Sequence, residues 1–566
     1  MISLKGAEAI VRCLEEEGVE NIFGILGGAI MEVYDVLYHH GPRHILMRHE
    51  QCAAHAAEGY ARVSGKVGVC MATSGPGATN LVTGIADAHM DSLPIVAFTG
   101  QVPNHLIGND AFQEADIVGI TMPITKHNFQ ITDPDDIPVI IKSAFKIAST
   151  RRPGPVLVDL PKDVQQRELK KKFLYPDDVD IPGYKVVKSG GHAIQIKEAA
   201  KALMSAEKPI ILAGGGVIIS NASNELIRLA ESLLIPVCTT LMGKGSFPET
   251  HPLSLGMAGM HGRKAANLAI SECDLLFAVG CRFSDRITGD VRYFAENAKI
   301  IHIDIDPSEI GKNVDSNIPI VGDAKLVLRN IINTINKLKL KGKTRTEWNN
   351  KIKKYKKEFA PKYDFDDIPI KQQRVMREIN RIIDDKTIIT TEVGQCQMWA
   401  AHYLNIKNPR TFISSGGLGT MGSGFPFAIG AKVAKPDYKV IDVGSDGSFL
   451  MTGNDLATCV EEDIPVIAVL LNNRYLGMVK QWQDLFYGKR RSHTFLGNVP
   501  DFVKYAESFN AGGIRIEKPS EIRDALKEAL KADIPYVLDF HIDPDEHVLP
   551  MMLPGGKLHE MIDVEK

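Results

Sequence analysis

Residues 438–473 read YKVIDVGSDGSFLMTGNDLATCVEEDIPVIAVLLNN, and this stretch decides the fold. Two runs rich in Val, Ile and Leu flank a stretch of helical character, and each run ends in small polar residues. Continuous apolar runs of this length are typical of parallel strands that are buried on both faces. The stretch therefore predicts one strand–helix–strand unit of a parallel sheet, with Asp446 after its first strand and Asn473 after its second.

The same alternation of apolar runs and helical stretches fills the rest of the chain, in three pieces. The runs are VGVCMA, PIVAFTG and GPVLVDLP in the first piece, PIILAGG, IPVCTT, LLFAVG and IIHIDI in the second, and TIITTEVG, YKVIDVGS, IPVIAVLLNN and PYVLDFHI in the third. We therefore predict an α/β protein of three doubly wound parallel-sheet domains. Polar breaks give the predicted boundaries: domains at 1–165, 191–336 and 371–545, linkers at 166–190 and 337–370, and a tail at 546–566.

Length and composition fit several globular domains. The chain has 566 residues, of which 44% are hydrophobic and 24% charged, and domains average roughly 150 residues. The net charge of −3 argues against a nucleic-acid partner, and no apolar run approaches the roughly 18 residues that cross a membrane. The first residues lack the pattern of a secretory signal. The eight cysteines contain no CxxC pair, so we expect reduced thiols and a cytoplasmic protein.

The second break is strongly basic, reading KLKLKGKTRTEWNNKIKKYKK at 337–357. A groove for nucleic acid would need interleaved aromatic residues, and this stretch has only Trp348 and Tyr355. We interpret it as a solvated connector that is partly helical.

Asp446 and Asn473 predict a metal site. The ends of neighbouring parallel strands lie about 5 Å apart, so both side chains can reach one ion. A carboxylate, an amide oxygen and backbone carbonyls are hard oxygen ligands that, together with diphosphate oxygens, suit octahedral Mg²⁺. The glycines beside Asp446 let the backbone approach phosphate. The residues alone leave a second interpretation open, a strand-end turn in which both side chains only satisfy backbone groups.

A second glycine cluster, residues 417–422, reads G-x-G-x-x-G between a strand-like RTFIS and a helix-like GFPFAIGAKVA. Asp442 follows about twenty residues later at the end of the next strand, which completes the marks of a dinucleotide-binding fingerprint. A nicotinamide-dependent dehydrogenase is therefore an alternative function. Against it, the strand that would carry the ribose-binding acid runs directly into the Asp446 motif.

Two motifs resemble those of thiamine-diphosphate enzymes. The GDG…NN pattern of that family resembles residues 444–447 with 472–473, although Ser445 replaces the leading glycine. RHE at 48–50 with HAAEGYAR at 55–62 resembles the segment that carries the family's catalytic glutamate.

Four further stretches narrow the resemblance. They are GNDAFQEADIVGITMPITKHN at 108–128, RFSDRITG at 282–289, HIDIDPSEIGKN at 302–313 and GMVKQWQ at 477–483. Together they resemble the large, catalytic subunit of the biosynthetic, FAD-containing acetohydroxyacid synthases (acetolactate synthases), over nearly the whole chain.

This resemblance implies a carboligase that decarboxylates pyruvate on thiamine diphosphate and transfers the hydroxyethyl group to a second 2-keto acid. Pyruvate as acceptor gives 2-acetolactate and 2-ketobutyrate gives 2-aceto-2-hydroxybutyrate, in the first common step of valine, leucine and isoleucine synthesis. In chain order, the three domains would bind the pyrimidine ring, FAD, and the diphosphate with Mg²⁺. Another enzyme of thiamine diphosphate and FAD, such as a pyruvate oxidase, stays open beside the dehydrogenase and a non-catalytic binding protein.

The resemblance also assigns residues in the two thiamine-diphosphate domains. Glu50 matches the glutamate that hydrogen-bonds the aminopyrimidine ring and drives proton exchange there, which requires a carboxyl in an apolar site with a raised pKa. Cys396 stands where the family usually has histidine. The implied catalytic residues are Glu50, Gly28, Gln113 and Lys126; the thiamine-diphosphate ligands are Glu50, Pro76, Val393, Gly394, Gln395, Gly419, Met421, Gly444, Asp446, Gly447, Ser448 and Asn473; and the metal ligands are Asp446, Asn473 and Tyr475.

FAD and substrate residues follow from the same resemblance, and FAD would have no redox role. Arg286 would bind the acceptor's carboxylate, and Met478 and Trp482, four apart on one helix face, would shape an acceptor pocket. The implied FAD ligands are Arg152, Gly214, Gly215, Gly216, Thr240, Leu241, Met242, Gly259, His261, Gly280, Arg282, Asp285, Asp304, Asp306 and Asp323, and the substrate pocket comprises Pro103, Phe112, Arg286, Met478 and Trp482.

Glu50 and Asp446 fall in different predicted domains, and in the family the site forms between two chains. We therefore expect a homodimer or tetramer with active sites at the interface. The resemblance also implies a separate small regulatory subunit and a C-terminal tail that closes over the site. Pyruvate and 2-ketobutyrate are the expected substrates, and no nucleic acid or membrane is expected among the partners.

Overall fold

The computed structural model of the chain describes residues 4–186, 189–339 and 342–563. The predicted boundaries extend over positions outside these ranges, namely 1–3, 187–188, 340–341 and 564–566. The described residues form three domains, each built on a six-stranded sheet whose strands are all parallel. The predicted fold class, three α/β domains, is thereby confirmed.

The N-terminal sheet has the strand order β2-β1-β3-β4-β6-β5. Three of its four inner strands, β3, β4 and β6, are buried along their whole length, as their apolar runs predicted. The strands are β1 Asn21–Ile25, β2 Arg43–Leu46, β3 Gly68–Ala72, β4 Ile95–Gln101, β5 His127–Gln130 and β6 Val156–Pro161, and the helices are α1 Gly6–Glu16, α2 Met31–Leu37, α3 Glu50–Ser64, α4 Pro76–Asn80, α5 Val82–Asp91, α6 Ile117–Thr121, α7 Ile137–Ser149 and α8 Lys162–Gln166.

The middle sheet has the order β12-β11-β10-β7-β8-β9, so the direction in which strands are added reverses at the neighbouring strands β7 and β10. Such switch points are where open parallel sheets bind ligands. The strands are β7 Pro209–Ala213, β8 Val237–Thr239, β9 Ser254–Met257, β10 Leu275–Val279, β11 Lys299–Asp304 and β12 Ile318–Val321, and the helices are α9 Ala193–Ser205, α10 Gly215–Ile219, α11 Ser223–Leu233, α12 Lys264–Glu272, α13 Asp285–Thr288, α14 Ala324–Leu338 and α15 Thr346–Glu358.

The basic connector packs on the middle domain through one face of α15. Trp348 and Ile352 are buried there, and the buried guanidinium of Arg345 donates to three backbone carbonyls of the middle domain. The connector is partly helical as predicted, but its aromatic residue anchors the helix rather than lying in solvent.

The C-terminal sheet has the order β14-β13-β15-β16-β18-β17 and a two-stranded antiparallel tail, β19-β20. The stretch at 438–473 forms β15, α19, α20 and β16, and β15 pairs with β16. The strands are β13 Thr387–Thr391, β14 Phe412–Ser414, β15 Lys439–Gly444, β16 Ile467–Asn472, β17 Gly512–Ile516, β18 Tyr536–His541, β19 Met551–Met552 and β20 Met561–Ile562, and the helices are α16 Gln372–Ile382, α17 Gln395–Tyr403, α18 Gly424–Ala434, α19 Asp446–Phe449, α20 Leu456–Glu461, α21 Gly477–Phe486, α22 Phe502–Glu507 and α23 Ile522–Lys531.

Two glycines bring the N-terminal and C-terminal domains together along α3 and α18. A methyl group on Gly59 would overlap the carbonyl of Phe427, and one on Gly430 would overlap the carbonyl of Ala56. The absence of side chains therefore lets the two helix backbones touch. One apolar core, which includes Ala53 to Ala57 and Phe425 to Ala428, runs through this contact.

The tail leaves the C-terminal domain and lies on the middle domain. Met551 and Met552 are fully buried, the Met552 amide donates to the Met260 carbonyl at 2.8 Å, and the Asp290 amide donates to Gly556. Among the residues described, no helix combines the length and apolar character needed to cross a bilayer.

Candidate functional site

A cavity of about 900 Å³ lies where the three domains meet, at the carboxyl ends of the middle-sheet strands. Its volume is in the range of cofactor pockets. Twelve of the predicted FAD residues line it: Arg152, Gly215, Gly216, Thr240, Leu241, Met242, His261, Gly280, Arg282, Asp285, Asp304 and Asp323. Gly214, Gly259 and Asp306 do not line it and contact residues that do.

Close backbone approach shapes one wall of this cavity. Gly280 follows β10 with a φ of 57°, and its Cα lies against Gly216 in the first turn of α10. A methyl group on Gly214 would overlap the Gly280 carbonyl. The turns after β7 and β10 therefore expose backbone without side chains, and a ligand can approach this glycine cradle closely.

Hydrogen bonds and ion pairs connect several of the polar side chains that line the cavity. Arg152 donates to Ser92 at 2.8 Å and pairs with Glu309 at 2.7 Å. Burial raises the pKa of Asp304 to about 6. Burial lowers the pKa of His261 to about 4, and its Nδ1 has no hydrogen-bond partner among the described residues. A neutral imidazole with a free ring nitrogen is thus left for a ligand.

The predicted metal residues stand at the ends of two adjacent strands. Asp446 begins α19 directly after β15, Asn473 follows β16, and Gly444 of β15 pairs in register with Leu470 of β16. Asp446 Oδ1 is buried with no hydrogen-bond partner within the described ranges. Burial raises the pKa of Asp446 to about 7. A buried acid with a free oxygen fits a cation site, because a cation there would restore the carboxylate.

A second, smaller cavity of about 80 Å³ adjoins these residues. Gln395, Met421, Asn473, Tyr475 and Met478 line it together with Val393 and Gly394. Asn473 Nδ2 donates to Gln395 Oε1 at 3.2 Å, and its Oδ1 accepts from the Tyr475 amide at 2.9 Å. The turn expected to hold diphosphate is therefore connected to Asn473 and Tyr475 by a hydrogen bond and a shared cavity.

Two departures from the family pattern have local structural roles. Ser445 is the N-cap of α19 and exchanges hydrogen bonds with Ser448, their hydroxyls 2.9 Å apart. Burial raises the pKa of the Cys396 thiol far above its usual range, so Cys396 is a neutral, buried residue beside the turn.

The glycine cluster at 417–422 forms a loop between β14 and α18. Gly419 lines the large cavity and Met421 the small one. Asp442 lies inside β15 with its side chain fully buried, accepts from Thr390 Oγ1 at 2.9 Å and has a pKa raised by burial. It lines neither cavity among the described residues. The dehydrogenase alternative, in which Asp442 would bind a ribose, therefore lacks a free acid at this position.

Glu50, Gly28 and Pro76 all lie at the carboxyl edge of the N-terminal sheet. Glu50 is the first residue of α3, half-buried, and its Oε2 accepts from Asn80 Nδ2 at 2.9 Å. Gly28 is exposed in the loop after β1 and faces open space, and Pro76 begins α4. None of the three lines either cavity within the described chain, and Glu50 lies in the N-terminal domain whereas the predicted metal residues lie in the C-terminal domain.

The predicted substrate residues of the N-terminal domain are mostly exposed. Phe112 is 88% exposed, Gln113 beside it has a φ of 59°, and Pro103 lies half-buried at the end of β4. Lys126 differs: its Nζ donates to the carbonyls of Ile147 and Thr150, at the C-terminus of α7. Burial lowers the pKa of Lys126 to about 8. Its ammonium group is therefore already satisfied within the chain.

Arg286, Met478 and Trp482 line the large cavity. Arg286 pairs with Asp285 at 3.3 Å and its side chain is 57% exposed. Met478 lines both cavities. Trp482 Nε1 is buried without a hydrogen-bond partner in the described part of the chain.

Two residues that support the site by hydrogen bonds, Glu392 and Gln481, were not predicted from the sequence. Glu392 accepts from the amides of Gly422 at 2.7 Å and Phe425 at 3.0 Å, which fixes the end of the glycine loop. Gln481, fully buried, accepts from Gln395 Nε2 at 2.9 Å and from the Val548 amide of the tail. Glu392 had a usable signal, an acid at a strand end directly before Val393, whereas Gln481 lies within the quoted stretch at 477–483 but was assigned no role.

The chain is similar to known proteins over nearly its whole length. The chain matches three thiamine pyrophosphate enzyme profiles: the N-terminal TPP binding domain over residues 4–120, the central domain over 196–331 and the C-terminal TPP binding domain over 392–540. The probable acetolactate synthase large subunit of Methanocaldococcus jannaschii is 59% identical over 99% of this chain and 95% of its own length. The acetolactate synthase large subunit of Corynebacterium glutamicum is 50% identical over 98% and 89%, and that of Haemophilus influenzae is 47% identical over 99% and 98%.

Proposed function

Because the chain belongs to the thiamine-pyrophosphate-dependent acetolactate synthase large subunits, we propose that it condenses two pyruvates to 2-acetolactate and CO₂. With 2-ketobutyrate as acceptor, the same reaction gives 2-aceto-2-hydroxybutyrate. The observation that carries this proposal is the buried Asp446 oxygen that has no hydrogen-bond partner in the described part of the chain. It follows β15, whose neighbour β16 leads to Asn473, within a chain that matches this family throughout. The dehydrogenase alternative loses its support, because Asp442 is buried inside its strand.

The C-terminal cluster would hold the diphosphate through Mg²⁺. Asp446 and the amide oxygen of Asn473 would bind the ion together with the Tyr475 carbonyl, a set of hard oxygen ligands that suits Mg²⁺. The backbone of Gly394 and Gln395 borders the same cavity and would contact phosphate oxygens. When bound, thiamine diphosphate supplies a nucleophilic carbon and an electron sink for the loss of CO₂.

We propose that Glu50 of a second copy completes each site. In that position its carboxyl would hydrogen-bond the aminopyrimidine ring and move a proton at the ring nitrogen. Large apolar residues are exposed in both domains that would meet, which supports burial against another copy. These residues are Leu26, Met31, Phe112 and Met122 in the N-terminal domain, and Leu418, Leu450, Met451, Phe495, Leu496 and Val499 in the C-terminal domain.

The large cavity would hold FAD, with its glycine cradle, the free His261 nitrogen and the Arg152 cluster as the fitting features. The condensation involves no net oxidation or reduction, so the flavin would shape the site without a redox role. Arg152 and Arg282 would face its phosphates, while Asp304 and Asp323 would accept hydrogen bonds from its hydroxyl groups.

The acceptor keto acid would lie between the two cofactors. Arg286 would pair with its carboxylate, and Met478 and Trp482 would pack against its alkyl group. One methylene is worth about 1–3 kcal/mol, so this pocket would favour 2-ketobutyrate over pyruvate without excluding pyruvate. Gln113, Phe112, Pro103 and Lys126 would border the substrate from the partner's N-terminal domain.

We further propose a separate small regulatory subunit, since the relatives are named large subunits, and a place in branched-chain amino-acid synthesis in the cytoplasm. Product analysis tests the reaction: pyruvate and 2-ketobutyrate are supplied with and without thiamine diphosphate, Mg²⁺ and FAD. Acetolactate and acetohydroxybutyrate that depend on all three support the proposal. Acetate and peroxide would select a pyruvate oxidase, and NAD dependence a dehydrogenase.

A further inference from the structure

Asp91, the last residue of α5 in the N-terminal domain, binds the backbone of the glycine loop in the C-terminal domain. Its Oδ1 accepts from the Gly417 amide at 2.8 Å and its Oδ2 from the Gly416 amide at 3.0 Å. Arg62 of α3 donates to the same Oδ2 at 2.7 Å. The residue is only 6% exposed, so three donors converge on one buried carboxylate, where charge-assisted hydrogen bonds are strong.

A second acid on the same helix holds the rest of the loop. Asp87 accepts from Ser415 Oγ at 2.6 Å, and that hydroxyl oxygen accepts from the amides of Gly419 at 3.0 Å and Thr420 at 2.9 Å. Four loop amides are therefore held by carboxylates of α5. Asp91 accepts directly from those of Gly416 and Gly417, and Asp87 holds those of Gly419 and Thr420 through the Ser415 hydroxyl. No regular secondary structure of the C-terminal domain satisfies these four amides within the described residues.

The charges around Asp91 assign it the role of counter-ion to Arg62. Glu58 Oε2 is 3.8 Å from Arg62 and its Oε1 lies 2.8 Å from His55 Nδ1, whereas Asp91 contacts Arg62 at 2.7 Å. Burial raises the pKa of Glu58 and of Asp87 well above the ordinary carboxyl range. The loop thus rests on a buried ion pair whose negative partner is Asp91.

The loop that Asp91 holds borders both proposed cofactor sites. Residues 415–419 line the large cavity, and Met421 lines the small one. Asp91 and Ser92 line the large cavity themselves, and Ser92 accepts from Arg152, which pairs with Glu309 of the middle domain. A Cβ on Gly417 would stand 2.8 Å from Asp91 Oδ1, so a side chain at this position would collide with the carboxylate.

We propose that Asp91 is a positioning residue that sets the glycine loop for thiamine diphosphate and FAD together, so that one N-terminal carboxylate governs the affinity for both cofactors. This inference rests on the proposed function of the loop. A purely structural Asp91 would stabilise the domain contact and leave the two cofactor affinities unchanged. The two roles therefore make different predictions for a variant that keeps the size of the side chain and removes its charge.

The test compares Asp91→Asn with the full-length wild-type protein. An asparagine oxygen can accept from one glycine amide, but its NH₂ group would then face the other amide or Arg62. We expect the dissociation constant of FAD, measured by flavin fluorescence quenching, and the KM for thiamine diphosphate each to rise tenfold or more. At saturating cofactors, kcat should stay within about threefold. Arg43→Gln is the matched control, because it removes an exposed ion pair with Glu462 between the same two domains and should leave both constants unchanged.

Ser415→Ala provides a second variant in case Asp91→Asn does not fold. It frees the Gly419 and Thr420 amides without altering the buried charges, and both constants should rise by several fold. Unchanged cofactor constants in a folded Asp91→Asn, or in Ser415→Ala, would overturn the inference, as would a loss of kcat alone. A wild-type protein that binds neither cofactor would instead contradict the proposed function.

Discussion

The Asp446 side chain is buried, and a cation bound there would favour its ionised carboxylate form. Burial raises its pKa to about 7, so below that pH the carboxyl carries a proton that must leave before Mg²⁺ binds. Since the pKa is raised, the binding-competent form increases as the pH rises through 7. We expect the Mg²⁺ concentration for half-maximal activity, at saturating thiamine diphosphate, to fall up to tenfold per pH unit below about 7 and to level off above about 8.

Asp446→Asn is the control for this pH dependence. It has no proton to lose, so its weaker Mg²⁺ activation should be flat over the same range. A wild-type half-saturation constant that is independent of pH, or that improves towards acid pH, would show that Asp446 does not titrate on metal binding.

Trp482 and Met478 shape the proposed acceptor pocket, and the size of the indole should decide the product ratio. Trp482→Leu enlarges the pocket and removes the flat surface against the alkyl group. We expect the preference for 2-ketobutyrate over pyruvate to fall about tenfold, the lower end of what one methylene discriminates. Product ratios from mixtures of the two acceptors measure it. Trp348→Leu makes the same change in α15, away from the cavities, and should lower stability while the ratio stays as in the wild type.

The sequence identified residues of the site unevenly, and the difference has a physical cause. Asp446 and Asn473 follow from local pattern, because buried strands must end where polar side chains begin. Glu50 followed from resemblance alone. Asp91 and Gln481 act on residues more than 70 positions away, and no local pattern marks such a contact. Lys126 shows the converse, since its surroundings at the end of α7 became visible only in the fold.

At the scale of elements, strands inside the sheets were predictable and most edge strands were not. Each of the eleven apolar runs is an inner strand, whereas β2, β5, β9, β12 and β17 at the edges, and β1 beside an edge, went unnoticed. Edge strands face solvent on one side: β2 and β5 each contain exposed and half-buried residues. Their sequences therefore lack the continuous apolar run that marks a strand buried on both faces.

The contact between α3 and α18 makes a prediction about stability. Gly430→Ala would place a methyl group onto the Ala56 carbonyl, and a backbone atom inside a helix cannot move aside as a flexible side chain does. We expect a loss of about 2–3 kcal/mol, the upper part of the range for overpacking, seen as a melting temperature several degrees lower.

Gly342→Ala is the matched control for this substitution, since its new methyl group would meet Met204 only at ordinary contact distance. Equal melting temperatures for the two variants would mean that α3 and α18 do not press together as described.

At the scale of the molecule, the number and class of domains were predictable from three repeated blocks of apolar runs. The large cavity was not, because it belongs to the junction: Asp91, Arg152, Asp304 and Gly394 come from three domains and meet only when these dock. Switch-point reasoning indicated the strand ends that would bind ligands. The switch-point rule could not indicate which strand ends of the three domains would lie next to one another.

The proposed pairing of Glu50 from one chain with Asp446 from another predicts complementation between inactive variants. Glu50→Gln and Asp446→Asn should each lose activity at least a hundredfold as separate preparations. For Glu50 this is the lower end of what acid–base catalysis contributes, and Asp446→Asn removes the charged ligand of the proposed metal site. In a dimer formed from one chain of each, one site carries both substitutions and the other carries neither. Unfolding and refolding an equal mixture gives mixed dimers in half of the population, so about a quarter of wild-type activity should return.

The double variant carrying both substitutions supplies the control. Mixed with Glu50→Gln, it offers no intact Glu50 in any pairing and should stay inactive. If equal mixtures of the two single variants also stay inactive while co-purification of differently tagged chains shows mixed dimers, each site draws Glu50 and Asp446 from the same chain. That outcome would mean that Glu50, which begins α3 and accepts from Asn80, acts with Asp446 of its own chain. The mixing experiment therefore decides between a site built from two chains and a site built within one chain.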